Sequence, residues 1–248
     1  MDMIFTTIRR DVDLTDIHES LANLDDIPIE LALPYKLRDF VETIDRLDEL
    51  EAYVRDNRIK VFGIHAAQGR ITSDDFLKWA VHTQQFARAT NARYVVYHPD
   101  RVGKTRRLNE QIVARQHLKD LERTVPGVQI CIESFGGRDR LFTPEEIIGS
   151  PWPLVLDLSH LDPDRSYRLI EDHHYRILVI HVSEVAKDSD GSTKSHMPAG
   201  PVCGRAFKLL KEHKWRGLLT LEYLHEFQDQ MFADRTRIES EFRVFPDD

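Results

Sequence analysis

The chain has 248 residues, 41% hydrophobic and 31% charged, with a formal net charge of −8 and two cysteines. That length suits one (β/α)8 barrel or two small domains. No apolar run reaches the roughly 20 residues of a membrane span, and Met1-Asp2-Met3-Ile4-Phe5 lacks the basic start of a secretory signal, so a cytoplasmic protein without a membrane partner is expected. The acidic balance argues against a phosphate-backbone partner, and two isolated cysteines argue against a disulfide framework.

In chain order, Met3 to Ile8 reads as a first strand and Thr15 to Leu24 as a short helix. Ile27 to Leu33 is a second strand, with Pro28 near its start, where proline is tolerated. Leu37, Phe40, Val41, Ile44, Leu47 and Leu50 recur at helical spacing, which predicts one helix from Leu37 to Arg55. A third strand ends at His65, a helix follows through Phe76, Trp79 and Phe86, and a fourth strand ends at His98. Next come a helix from Leu108 to Arg123, closed by Pro126-Gly127, and a fifth strand ending at Glu133. Thr143-Pro144-Glu145-Glu146 is a helix start: a capping hydroxyl, proline in the first turn, then acids facing the dipole. The sixth strand holds Asp157, Pro163 to Asp172 is a short helix, and the seventh strand ends at His181. Lys187 to Gly204, which contains Cys203, reads as the longest loop; a helix from Arg205 to His213, an eighth strand ending at Glu222, and a last helix follow. Trp152 and Trp215, each just before a strand, read as packing residues, and Arg101, Lys104, Arg106 and Arg107 as a solvated loop and helix start.

Eight strands alternating with helices and no composition break predict an α/β fold, a single (β/α)8 TIM barrel over 1–248, with a doubly wound open sheet as the alternative. Parity supports closure. Residues i and i−2 share a strand face, and two residues before each strand-end His, Asp or Glu stand Gly63, Val96, Cys131, Val155, Val179 and Thr220, the small and medium side chains an inner layer needs. The strand ends then meet at the C-terminal mouth, where barrel enzymes place their chemistry.

Glu133, Asp157, His181 and Glu222 are the candidate metal ligands: carboxylates crowded together repel, and a divalent cation removes that cost. Mixed oxygen and nitrogen donors suit Mn²⁺ or Zn²⁺, with Mg²⁺ or Co²⁺ also compatible. His65 and His98 are either ligands of a neighbouring metal bridged by Glu133, substrate contacts, or wall residues. His160, three residues past Asp157, is a further ligand or a hydrogen-bond partner of substrate.

These residues carry a resemblance. From Ile29 to Glu222 the chain resembles the xylose isomerase-like barrel superfamily, in the Ile-Glu-Ser at Glu133, the Asp-Leu-Ser-His from Asp157 to His160, the strand end at His181 and the Leu-Glu at Glu222. In its sugar isomerase and epimerase branch, the resemblance implies that Glu133, Asp157, His181 and Glu222 hold one divalent ion that stabilises an enediolate. Glu133 and Glu222 would exchange the proton, and His160 would orient a small sugar-like substrate. In its endonuclease IV branch, His65, His98, Glu133, Asp157, His160, His181, His196 and Glu222 would hold three zinc ions acting on abasic DNA. That branch carries an Asp two residues before the last His; Lys194 stands there, and a lysine repels a cation. The leading expectation is therefore a metal-dependent sugar isomerase or epimerase, with Lys194 and His196 reading an anionic group of substrate. A DNA phosphodiesterase is the second reading, and a non-catalytic metal- or sugar-binding barrel the third.

Overall fold

The computed structural model describes residues 5–22, 24, 26–103, 107–137, 139–187 and 191–243. Eight parallel strands close into a barrel: β1 (Phe5–Asp11), β2 (Ile29–Ala32), β3 (Val61–His65), β4 (Tyr94–Tyr97), β5 (Gln129–Glu133), β6 (Leu154–Asp157), β7 (Ile177–Val182) and β10 (Leu218–Leu221). They lie in the order β1-β10-β7-β6-β5-β4-β3-β2, so the open-sheet alternative is excluded. Between β7 and β10 in the chain comes a separate antiparallel hairpin, β8 (Glu184–Lys187) and β9 (Thr193–Met197). It occupies part of the stretch expected as a loop.

The period of two divides the core. Ile8, Leu31, Ile64, Val95, Ile130, Leu156, Ile180 and Leu219 face outward, in the large buried cluster that the helices cover. Tyr94, Val96, Cys131, Val155, Val179 and Leu218 form a second cluster inside the barrel, containing four of the six residues expected in the inner layer. Trp152 and Trp215 are buried packing residues, and both cysteines are buried and free.

Among the helices, α1 (Ile17–Ser20) is shorter than expected and is capped by Asp16, which accepts from the Glu19 amide at 3.1 Å. The helix expected from Leu37 to Arg55 is broken into α2 (Leu37–Glu42), a 3₁₀ turn (Ile44–Arg46) and α3 (Leu47–Asp56). At the break, the Thr43 hydroxyl donates back to the Asp39 carbonyl at 2.8 Å, an alternative to the helical ladder that bends the backbone. Then come α4 (Phe76–Ala89), α5 (Arg107–Thr124), α6 (Pro144–Ile148), α7 (Pro163–His173), α8 (Pro201–Glu212) and α9 (Gln228–Arg243). The Thr143 capping box is formed on both sides. Helix α8 begins four residues before the expected Arg205, because Pro201 fills the first turn, where its missing N–H costs nothing; Cys203 is thus helical. Of the basic cluster, Lys104 and Arg106 lie outside the described residues, and Arg107 opens α5 paired to Glu146. Among the described residues, no helix is long and apolar enough to cross a membrane.

Candidate metal centre

Each strand delivers its last inward residue to one mouth. Asp157 stands opposite His181 in the β6–β7 register, and Thr220, two before Glu222, stands opposite His181 on the other side. The result is a buried cluster. His181 Nδ1 lies 2.9 Å from Glu133 Oε1 and 2.7 Å from Glu222 Oε2. Glu133 turns its other oxygen the opposite way, with Oε2 2.6 Å from His98 Nε2 and 3.7 Å from His65 Nε2. His160 Nδ1 lies 3.4 Å from Asp157 Oδ2, and His196 Nδ1 lies 3.7 Å from Glu222 Oε1.

Two sets of side chains can each bring one ligand atom within 4.8 Å of the others: His65, Glu133, His181 and Glu222, and separately Asp157, His160 and His196. Asp157 thus groups with the histidines of the rim and not with the first set. The Ser159 amide, donating to Asp157 Oδ1 at 2.6 Å, helps fix that orientation.

The donor set fits a divalent ion. Glu133 Oε2, Asp157 Oδ2, Glu222 Oε2, His65 Nε2 and His160 Nδ1 are buried and have no hydrogen-bond partner, although several lie within 4 Å of an opposite group. Close approach without hydrogen-bond geometry leaves these lone pairs unused within the two ligand groups. Native buried polar atoms are seldom left that way unless an ion or water serves them.

Electrostatics points the same way. Burial pushes the Glu222 carboxyl up, but Arg9 and His181 hold it well below the usual carboxylate range. Burial likewise raises Glu133, and His98 with its neighbouring imidazoles holds it well below. Asp157 is raised, by burial and by the charges of Glu222 and Glu133 outweighing His160. His181, which burial alone would lower, is held well above its ordinary value by Glu30 and Glu222. The carboxylates around His181 thus favour its charged form.

Solved structures share this architecture. A D-tagatose 3-epimerase-like protein superposes with a TM-score of 0.68 at 13% identity, over 96% of this chain and 99% of that one. A xylose isomerase domain protein from Planctomyces limnophilus gives 0.67 at 14%, over 98% and 99%. Endonuclease IV from Thermus thermophilus gives 0.63 at 14%, over 96% and 99%. The chain shares the (β/α)8 TIM-barrel fold of these proteins. No family model and no curated protein matches its sequence.

Within this barrel, the mouth opens to a cavity of about 1020 Å³, reached by His98, Glu133, His160, His196 and Glu222. Phe135 forms part of its wall, stacked on His160 at 4.1 Å between ring centroids. Lys194, expected to face substrate, is not among the lining residues; its ammonium pairs with Glu226. Sequence reasoning missed two residues. Arg9, in β1, is ion-paired to Glu222 in the mouth. Glu30, in β2, is fully buried beneath His181, with Oε1 3.1 Å from His181 Nε2. Parity carried both signals: Glu30 is the inward residue between the outward Ile29 and Leu31, and Arg9 shares a face with Thr7.

Proposed function

We propose that the chain is a divalent-metal-dependent isomerase or epimerase of a small hydroxy-carbonyl compound such as a sugar. The observation that carries this reading is the placing of Glu133 and Glu222 at the ends of two separate strands, their carboxylates 2.9 and 2.7 Å from the same His181 nitrogen, at the floor of a cavity sized for a small molecule. His65, Glu133, His181 and Glu222 would hold the ion, with Asp157, His160 and His196 as a separate group at the rim; Mn²⁺ or Zn²⁺ suits these donors best. When bound, the ion supplies Lewis acidity that polarises a substrate carbonyl and acidifies the neighbouring C–H.

The remaining work falls to side chains. Glu133 and Glu222 are both held below the usual carboxylate range, so either can take a proton from carbon; the other can return one to carbon after taking it from solvent in the open cavity, and the first releases its proton to solvent. Arg9 keeps Glu222 ionised and in place. His160, stacked on Phe135, and His196 stand at the cavity wall, where they can bind substrate hydroxyls.

The rim supports a neutral substrate. Asp11, Asp13, Asp16 and Glu19 line the cavity together with Glu133 and Glu222, against only Arg9 and Arg10. Such a surface repels a polyanion. One observation favours the second reading, a phosphodiesterase acting on abasic DNA: Glu133 offers one oxygen to each of two ligand groups, as a carboxylate bridging two metals would.

Metal content and turnover decide between them. The expected result is one tightly held Mn²⁺ or Zn²⁺ per chain, deuterium exchange at a carbon next to the carbonyl of a ketose, and loss of both in Glu222→Ala. About three zinc ions per chain with nicking of abasic DNA would overturn the proposal in favour of the phosphodiesterase.

A further inference from the structure

Glu30 has no part in the chemistry above. It does not reach the substrate cavity, and it lies one layer below the mouth with none of its surface exposed. A lone carboxylate in such a place is costly unless it is fully engaged. Glu30 Oε2 accepts the Tyr94 hydroxyl at 2.6 Å, and the Thr220 hydroxyl lies 3.4 Å away. His181 Nε2 hydrogen-bonds Oε2 at 3.3 Å and lies 3.1 Å from Oε1, a close approach without hydrogen-bond geometry. The opposite nitrogen of the same ring, Nδ1, faces Glu133 and Glu222. The neighbouring strand is shaped for this arrangement: Gly63, paired with Tyr94 in the β3–β4 register, has no side chain because the phenol fills that space.

We infer that Glu30 is the positioning residue of the metal centre: it holds the proton on His181 Nε2, fixes the ring plane, and so leaves Nδ1 as the ligand atom. The inference rests on the metal-dependent reading of the mouth. A histidine ligand commonly donates its second N–H to a carboxylate, which orients the ring and strengthens it as a donor. Here the support has two layers. Tyr94 holds Glu30, and Glu30 holds His181. A carboxylate present only to fill the barrel would not need its oxygens aimed at the far side of a candidate ligand.

The test uses the full chain, stripped with a chelator and titrated with ZnCl₂ or MnCl₂ against a chromophoric competitor. Glu30→Gln keeps the shape and removes the charge; its dissociation constant is expected to rise roughly 10- to 100-fold. Tyr94→Phe keeps the charge and loosens its orientation; a rise of roughly fivefold is expected, the worth of one hydrogen bond. In the zinc-loaded wild type, nitrogen NMR of the imidazoles should show His181 protonated at Nε2 and not at Nδ1. A wild type that binds no ion ends the metal-dependent reading, and this inference with it. A wild type that binds, beside a Glu30→Gln variant within twofold of it, overturns the role of Glu30 and leaves that reading standing. If Glu30→Gln does not fold, Tyr94→Phe decides: unchanged affinity, or a proton found on Nδ1, refutes the inference.

Discussion

The substitution Gly63→Ala should damage the barrel far more than one added methyl suggests. A Cβ at Gly63 would stand 2.2 Å from Tyr94 Cζ, 2.4 Å from Cε2 and 2.6 Å from the hydroxyl oxygen. Carbon atoms pack at about 3.5–4.0 Å, so the ring must retreat by more than about 1 Å. It is fully buried in the inner cluster, and its hydroxyl is held by Glu30 at 2.6 Å. Overpacking of this kind costs about 1–3 kcal/mol. Pulling the phenol off a buried carboxylate adds about 1–3 kcal/mol. Replacing a strand glycine with alanine returns about 0.5–1 kcal/mol through the unfolded state. The net loss is about 1–5 kcal/mol, or a Tm lower by roughly 2–20 °C for a chain of this size. Urea and thermal unfolding of the metal-free variant measure it. A Tm within a degree of wild type, or above it, would show that the alanine gain dominates and that the phenol is not fixed against this strand.

Loading the stripped chain with Zn²⁺ or Mn²⁺ at a hundredfold excess over Kd should stabilise it by about 2.7 kcal/mol, read as a rise in Tm on metal addition. The pH dependence of the metal-free chain has a definite sign. His181 is held well above its ordinary value, so its contribution is complete below about pH 6.5 and is lost as pH rises through the folded value. Glu133 and Glu222 are held below theirs, so their contribution is present above about pH 4.5 and is lost in acid. The metal-free Tm should therefore fall above neutrality, while the loaded Tm, with the ion in place of the Nδ1 proton, falls less; a metal-free Tm that climbs from pH 7 to pH 9 contradicts this. Asp100→Ala should cost about 2–4 kcal/mol in urea unfolding, because three donors lose their acceptor. They are the Ile71 amide at 2.8 Å, the Thr72 amide at 3.0 Å and the Thr72 hydroxyl at 2.6 Å.

The barrel and most of the mouth were legible because both are written in a period of two. An apolar run ending in His, Asp or Glu gives strand, face and ligand together, and this is how His65, His98, Glu133, Asp157, His181 and Glu222 all reach the mouth, although Asp157 turns to His160 there and stands apart from the first ligand group. Arg9 stayed hidden because Arg9-Arg10-Asp11 has no strand signal of its own. It is extended because it pairs residue by residue with Glu30-Leu31-Ala32, a tertiary fact. Glu30 was in plain view, but a single acid within an apolar strand does not say what it meets across a barrel. The hairpin around Lys194 and His196 was read as loop because half-exposed Thr, Lys and Ser carry no alternation, and the direction of Lys194 is set by Glu226, far along the chain.

The charge of the mouth gives the strongest reason to expect a divalent ion there. Four buried carboxylates, Glu30, Glu133, Asp157 and Glu222, gather around Arg9 and His181. The carboxylates outnumber the arginine, and burial answers part of that excess by raising Asp157 toward its neutral form. Further basic side chains would neutralise the excess and also bring donors to the carboxylate oxygens. The oxygens that face the centre of the mouth have no such donors. A cation without hydrogens satisfies both conditions, because it cancels charge and accepts lone pairs at once. Protons are the only substitute available to the chain alone, and they sit on the same atoms an ion would use. Metal uptake should therefore expel protons, and the two should compete at His181 Nδ1 before anywhere else.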